Sequence, residues 1–301
     1  MWFKNLYLYK LQQVFPLTAE ALHEQLTVRS FIPCLKDQRE SSGWVAPLGK
    51  QSASLVHAAN GYIWISMAHQ ERMLPSAVVK EELDERVSEL QEKENRKLSS
   101  REKKDMREQI EFELLPQAFT RTRQLDAWID PNGLWLVVNT ASATQAERLT
   151  ALLRKSMDGL PIVAPETSNS PTFLMTHWLT EGVLPPKFEL GEECELRSQG
   201  DDQSVAVFKK HELLTEEVKS NLASGKLVSK LMLTWDQRLS FVLTESLQIK
   251  RLKFLDVFDE QLNEQDPQSY EERKDIEFTL MTGEVSRLLA ELMACFNPPK
   301  A

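Results

Sequence analysis

The 301-residue chain carries 36 Lys and Arg against 45 Asp and Glu, for a formal net charge of −9, with 42% hydrophobic and 27% charged residues. That balance suits a folded globular protein of one large or two ordinary domains with a substantial core, and it excludes disorder and collagen-like structure. Its 10 glycines, no two closer than Gly43 and Gly49, exclude a G-x-G-x-x-G dinucleotide fingerprint. Cys34, Cys194 and Cys295 are odd in number and far apart, which points to free thiols in a reducing compartment rather than a disulfide framework or zinc site. The start, Met1-Trp2-Phe3-Lys4-Asn5-Leu6-Tyr7, is interrupted by Lys4 and has no signal core or cleavage site. No run approaches the ~18 apolar residues of a membrane span, so a cytoplasmic protein is expected.

In chain order, the first clear element is a β-hairpin over Leu55 to Met67. Asn60-Gly61 supplies its tight turn, and Ile63, Ile65 and Met67 share a face. From Pro75 to Leu115 the composition changes. Val79, Leu83, Val87 and Leu90 recur at helical spacing, as do Met106, Ile110 and Leu114. Ser99 and Glu102 form a capping box that restarts the second helix, so a projecting helical hairpin is expected. A second β-hairpin spans Gln124 to Val138 around Asp130-Pro131-Asn132-Gly133, with Leu134, Leu136 and Val138 on one face. An amphipathic helix then runs from Ala143 to Met157, closed by Gly159, and a short helix from Thr172 to Thr180. Strands are expected at Phe188–Leu196 and Val205–Lys210, followed by a helix at Thr215–Ala223. Three strands follow at Leu227–Trp235, Arg238–Thr244 and Leu247–Leu255, then an acidic segment and a helix at Tyr270–Phe296. The fold class is α+β with mixed, mostly antiparallel sheets. Three subregions are expected: 1–74 with 116–175 as α/β, 75–115 as helices, and 176–301 as α+β with basic strands.

Catalytic motifs fail on spacing. Gly43 to Lys50 resembles a P-loop, but five residues separate its glycines, Pro47 removes an amide donor and Gln51 replaces the hydroxyl. His23-Glu24 and His211-Glu212 are followed at the fourth position by Thr27 and Thr215, not a second metal ligand. His57 and His69 flank the first hairpin and could meet, but lack a third ligand nearby. There is no G-x-S-x-G elbow. Neither a catalytic residue, a metal nor a cofactor is indicated.

The charge is unevenly distributed. Val205 to Leu255 holds nine basic and five acidic residues, while Asp256 to Phe296 holds three basic and eleven acidic ones. Alternation puts Lys226, Val228, Lys230 and Met232 on one face of their strand, opposite Leu227, Leu231, Leu233 and Trp235. It also puts Arg251 and Lys253 on one face and Lys250 on the other, with Lys209-Lys210-His211 in a turn. Such cations could meet backbone phosphates without regard to sequence, or be solvated and neutralised by acids of the closing helix. Lys80 to Arg107 holds nine basic and nine acidic residues and suits salt-bridged helices. Phe119 lies beside Arg121 and Arg123, an aromatic next to cations that suits either a partner surface or core.

The order of motifs resembles the RdgC family, the bacterial recombination-associated proteins, nearly end to end. The resemblance rests on Met1-Trp2-Phe3-Lys4-Asn5-Leu6, Gly43-Trp44-Val45-Ala46-Pro47, Leu74-Pro75-Ser76-Ala77-Val78-Val79 and Leu114-Leu115-Pro116-Gln117-Ala118-Phe119-Thr120-Arg121. It continues through Leu152-Leu153-Arg154-Lys155, Gly225-Lys226-Leu227-Val228, Leu233-Thr234-Trp235, Lys250-Arg251-Leu252-Lys253-Phe254 and Met281-Thr282-Gly283-Glu284. It implies a non-enzymatic homodimer closed into a ring around double-stranded DNA, with single strands left open. The ring would bind with little sequence preference in the nucleoid and limit RecA-promoted recombination. On the same basis Lys209, Lys210 and His211 resemble a basic finger, Lys226 and Lys230 sheet-borne cations, and Lys250, Arg251 and Lys253 a basic strand. Phe119 and Arg121 fall in a segment resembling a ring-closing dimer contact. The chain departs from the pattern at His211, where Gln is expected in some relatives, and in the end Asn297-Pro298-Pro299-Lys300-Ala301, which lacks a Gly-rich finish. The alternative is a scaffold whose segment from Pro75 to Leu115 docks repair or replication proteins, with incidental DNA affinity.

Overall fold

The computed structural model describes residues 2–49, 51–200, 203–255, 265 and 267–298. Met1, Lys50, most of the acidic segment after Leu255 and the end from Pro299 lie outside the described residues. The first half contains β1 (Tyr7–Leu11), α1 (Ala19–Thr27), β2 (Glu40–Val45), β3 (Val56–Ala59) and β4 (Tyr62–Met73). It continues with α2 (Ser76–Glu94), α3 (Ser100–Leu114), β5 (Phe119–Asp130), β6 (Trp135–Val138), α4 (Ala143–Ser156) and β7 (Ile162–Val163). The second half contains α5 (Pro171–Glu181), β8 (Phe188–Arg197), β9 (Val205–Lys209) and α6 (Glu216–Ala223). It closes with β10 (Leu227–Trp235), β11 (Leu239–Thr244), β12 (Ile249–Phe254) and α7 (Tyr270–Phe296).

Two antiparallel sheets organise these elements. The first runs β2-β4-β5-β6-β1-β7, with β3 also paired to β4; the second runs β12-β11-β10-β8-β9. Asn60 and Gly61 both take positive φ in the β3–β4 turn, as a primed two-residue turn requires. Asp130 accepts from the backbone N–H groups of Asn132 and Gly133 to hold the β5–β6 turn. β5 begins at Phe119, five residues before the expected Gln124, because it pairs with β4 along its whole length as far as Met73. The sequence reading also passed over α1 and β2, which complete one side of this sheet.

One face of the first sheet is covered by α1 and α4. Ile65, Met67, Ala127 and Leu136 meet Leu22 and Leu26 of α1 and Leu149 and Leu153 of α4 in one cluster. Each such side chain stabilises by roughly 1.5–3 kcal/mol on burial. The Ser142 hydroxyl caps α4 by accepting from Gln145 N–H. The other face presents Trp64, Trp128, Trp135 and Val137 to the cluster built around α7. There Trp64 stacks on Phe278, with ring centroids 5.4 Å apart.

The second sheet shares that cluster. Cys194, Leu196, Leu231, Leu233, Trp235, Phe241 and Leu243 face Trp178 of α5, Val218 of α6 and Leu288 and Leu292 of α7. Cys194 is fully buried, and burial pushes its thiol up to about 12. A short N-terminal stretch ties the sheets together. Leu6 bridges Ile249 through both backbone hydrogen bonds, and Leu252 N–H donates to Lys4 O. α2 and α3 carry few buried residues, Val79 and Ile110 among them. They are joined by Arg86, which bonds Glu82 and Glu113 at 2.8 Å each. The capping box at Ser99 and Glu102 is present, and Asn95 ends α2 with a left-handed φ of 49°.

Candidate nucleic-acid interface

Strand alternation in the second sheet separates a core face from an outer one. Opposite Cys194, Leu196 and Phe208, the outer residues of β8 and β9 are Glu193, Glu195, Arg197, Val205, Val207 and Lys209. Across the sheet Lys230 lies opposite Glu195 and Thr244, while Met232 lies opposite Val242. Lys250 then lies opposite Val242 and Lys253 opposite Ser240. Lys209, Lys230, Lys250 and Lys253 therefore share one face. Lys210, with φ 51°, follows β9, and it lines a groove of about 210 Å³ with Glu192, Glu193, Met232, Arg251 and Lys253.

Two bulges set this arrangement and overturn the simple alternation read from sequence. Val228 pairs Leu196 while Lys230 pairs the next residue, Glu195, so Ser229 is an extra residue on β10. Its hydroxyl donates to the Glu195 carboxylate at 2.8 Å. Val228 consequently enters the core, fully buried, instead of sharing the face of Lys230. Lys226 lies before the bulge and donates to Asn221 Oδ1 at 2.7 Å, so it does not join the basic face. On β12, the four residues from Lys250 to Lys253 face three on β11, Val242 to Ser240. Arg251 takes φ 52° in this bulge, which places Lys250 and Lys253 on one face and removes Arg251 from the expected alternation with Lys253. His211 also turns away. Its ring lies 5.4 Å from that of Phe208 on the core side, and its Nε2 is 3.5 Å from Glu217.

The neutralising acids come from β8, not from the closing helix. Glu195 accepts from Lys230 Nζ at 2.5 Å and from Arg197 at 2.9 Å, and Glu193 accepts from Arg251. Burial pushes the Glu195 carboxyl up, but the hydrogen bonds from Lys230 and Ser229 outweigh it and hold it below its ordinary value. The acids of α7 are engaged elsewhere: Glu277 with Arg273 and Lys274, Glu284 with Arg238 and Arg287, and Glu291 with Lys187. Among the described residues, Lys209, Lys210, Lys250 and Lys253 make no ion pair. Sequence reasoning missed Arg197 and both β8 carboxylates; Gly191 inside that strand was the available signal of irregular pairing. A Cβ there would meet Met232 Cγ at 2.5 Å.

Phe119 is 83% exposed at the start of β5, opposite the exposed Met73, and Arg121 lies opposite Glu71 on the same ribbon. The histidines do not converge. His57 bonds Asp275 at 2.8 Å and stands opposite Trp64, while His69 bonds the Ser42 hydroxyl. His23 Nδ1 accepts from Leu55 N–H. Among the described residues no three His, Cys, Asp or Glu side chains are grouped to hold a metal ion, and no helix is long and apolar enough to cross a membrane.

A family model described as "Putative exonuclease, RdgC" matches residues 1–298. The chain is 43% identical over 297 residues to Recombination-associated protein RdgC of Aeromonas hydrophila, covering 99% of this chain and 98% of that relative. It is 39% identical over 301 residues to the protein of the same description from Tolumonas auensis, covering both completely. To the one from Psychromonas ingrahamii it is 38% identical over 297 residues, 99% of this chain and 98% of the relative. With the match extending through both sheets, α7 and the basic strands between them, the chain belongs to the RdgC family.

Proposed function

We propose that this chain binds double-stranded DNA without sequence preference, as a ring-shaped homodimer of the nucleoid that limits RecA-promoted recombination. The observation that carries the binding reading is the outer face of the second sheet. It collects Lys209, Lys230, Lys250 and Lys253, with Lys210 and Arg251 at the adjoining groove, on a chain of net charge −9. Ammonium groups at several positions on one surface suit phosphates, which attract Lys without regard to sequence. A ring would present such a face inward while its outer surface keeps the acidic total. The recombination-associated descriptions of the relatives support the biological setting. The role is non-enzymatic in this reading.

The binding test is fluorescence anisotropy on two unrelated duplexes across a salt series. Equal affinities that fall steeply with salt support the proposal; no binding at low salt overturns it. The dimer contact is tested with Phe119→Ser. Because the ring of Phe119 is largely solvent-exposed, the change should leave the protomer's free energy of unfolding within about 0.5 kcal/mol of the parent while shifting sedimentation toward monomer. Unchanged sedimentation and DNA retention would remove Phe119 from the interface.

A further inference from the structure

The first sheet holds a separate polar pocket of about 140 Å³ between β4, β5 and the N-terminal half of α4, lined by His69, Glu71, Arg123, Asn139, Gln145 and Arg148 among others. It is not part of the lysine face on the second sheet. His69 has only 8% of its side chain exposed; its Nδ1 meets Ser42 Oγ at 2.8 Å, and its Nε2 has no hydrogen-bond partner. Arg123 and Arg148 stand beside it. Their nearest carboxylates, Glu71 at 3.8 Å and Glu40 at 3.5 Å, form ion pairs without hydrogen bonds. Both carboxylates are on exposed side chains that can swing aside.

The amides add uncommitted donors. Gln145 uses its oxygen to accept from Thr140, and Asn139 uses its oxygen to accept from the N–H groups of Lys4 and Asn5. Both NH₂ groups are free of partners among the described residues. Two guanidinium groups, two amides and a buried imidazole around one cavity make a surplus of donors over acceptors. His69 Nε2 is the buried one among them, and a buried polar atom without a partner costs about 1–3 kcal/mol, so the arrangement favours an acceptor-rich guest. At about 30 Å³ per water the cavity holds roughly four to five water volumes, enough for a tetrahedral oxyanion and too little for a nucleoside.

We infer that this pocket binds a phosphate group through Arg123, Arg148, Asn139, Gln145 and His69. Arg supplies the planar fork suited to phosphate oxygens. The group could be inorganic phosphate or the terminal phosphate of a nucleic-acid strand, the same chemistry from two sources.

The probe is inorganic phosphate titrated into the full-length protein at constant ionic strength. The readouts are the side-chain amide resonances of Asn139 and Gln145 and the heat of binding. Saturable shifts at both amides are expected. Arg148→Gln should weaken binding about tenfold or more, as loss of a charge-assisted hydrogen bond implies, and Glu40→Gln should tighten it a few-fold by removing a competing carboxylate. A Lys209→Ala, Lys210→Ala variant should leave these shifts unchanged, which separates this site from the DNA-binding face. Stationary amide resonances, or shifts insensitive to both Arg148→Gln and Arg123→Gln, overturn the inference. The source is then read from short duplexes. Tighter binding of 5′-phosphorylated than 5′-hydroxyl ends, lost in Arg148→Gln, assigns the pocket to strand ends, and equal binding of the two assigns it to the free anion.

Discussion

The two sheets solve the same packing problem differently. The first is covered on both faces, by α1 and α4 on one and by the α7 cluster on the other, so β6 is buried at every position and β4 over seven consecutive ones. The second is covered on one face only, and its other face sets lysines among Val205, Val207, Met232 and Val242. Ser240, Val242 and Thr244 on that outer face are still at most 7% exposed. Their cross-strand neighbours are Lys253, Lys250 and Lys230, whose aliphatic stems can shield them while the ammonium groups remain in water. A sheet with one uncovered face can thus be both well packed and strongly charged. The proposed DNA-binding face lies where apolar cover ends.

The largest expected effect would break the cover the sheets share. Phe278→Ala removes the ring that stacks on Trp64 and joins the cluster of the second sheet, and should cost about 3–5 kcal/mol. Because the cluster is common to both sheets, their unfolding transitions in urea should shift together; a shift confined to one sheet would show that they are stabilised independently.

The uncovered face is addressed by Lys209→Ala with Lys210→Ala. If each ammonium neutralises one phosphate, the log–log salt slope becomes shallower by about 1.8, and affinity falls alike for all sequences. An unchanged slope excludes the end of β9 from the interface. A change of opposite sign is expected from Glu195→Gln. Losing this carboxylate releases Lys230 from its pair and leaves Arg197 with Glu245 alone, so DNA binding should tighten a few-fold and its slope steepen, at a cost in stability of about 1–3 kcal/mol. Weaker DNA binding without a change of fold would mean that Glu195 positions Lys230 instead of masking it.

The smallest effect belongs to the covered sheet. Burial, and after it the Arg148 guanidinium, hold the His69 imidazole below its ordinary value of 6.5, against the pull of Glu40 and Glu71. As pH falls through 6.5 the unfolded chain takes up this proton before the folded one does, so stability falls on acidification. His69→Asn should flatten that part of the pH dependence of the urea midpoint; an unaltered profile would assign it to other groups.

Much of this was legible in the sequence. β10 and α7 were read with their observed ends, because the alternation from Lys230 to Trp235 and a long apolar stripe are local signals. The bulges at Ser229 and Arg251 were not, since an extra residue is defined by the partner strand and not by its own neighbours. That is why Lys226 was grouped with Lys230, and Lys250 set apart from Lys253. The alternative to phosphate contact was that acids of the closing helix neutralise the basic face. In space, Glu277 and Glu284 are buried against other cations, and β8 supplies the carboxylates. The pocket at His69 was hidden for a similar reason, its donors lying on β4, β5, α4 and the segment before it.

The bridge from Leu6 to Ile249 joins residues 243 positions apart and places the beginning of the chain against one of the last strands made. During synthesis every strand of the first sheet has been produced once Val163 has emerged, and α1 and α4 can cover one side at that stage. Its other side, with Trp64, Trp128 and Trp135, must wait for α7, more than a hundred residues later. A nascent chain therefore carries an exposed aromatic surface through most of the translation of its second half, the interval in which capture by a chaperone, or by a neighbouring nascent chain, competes with folding.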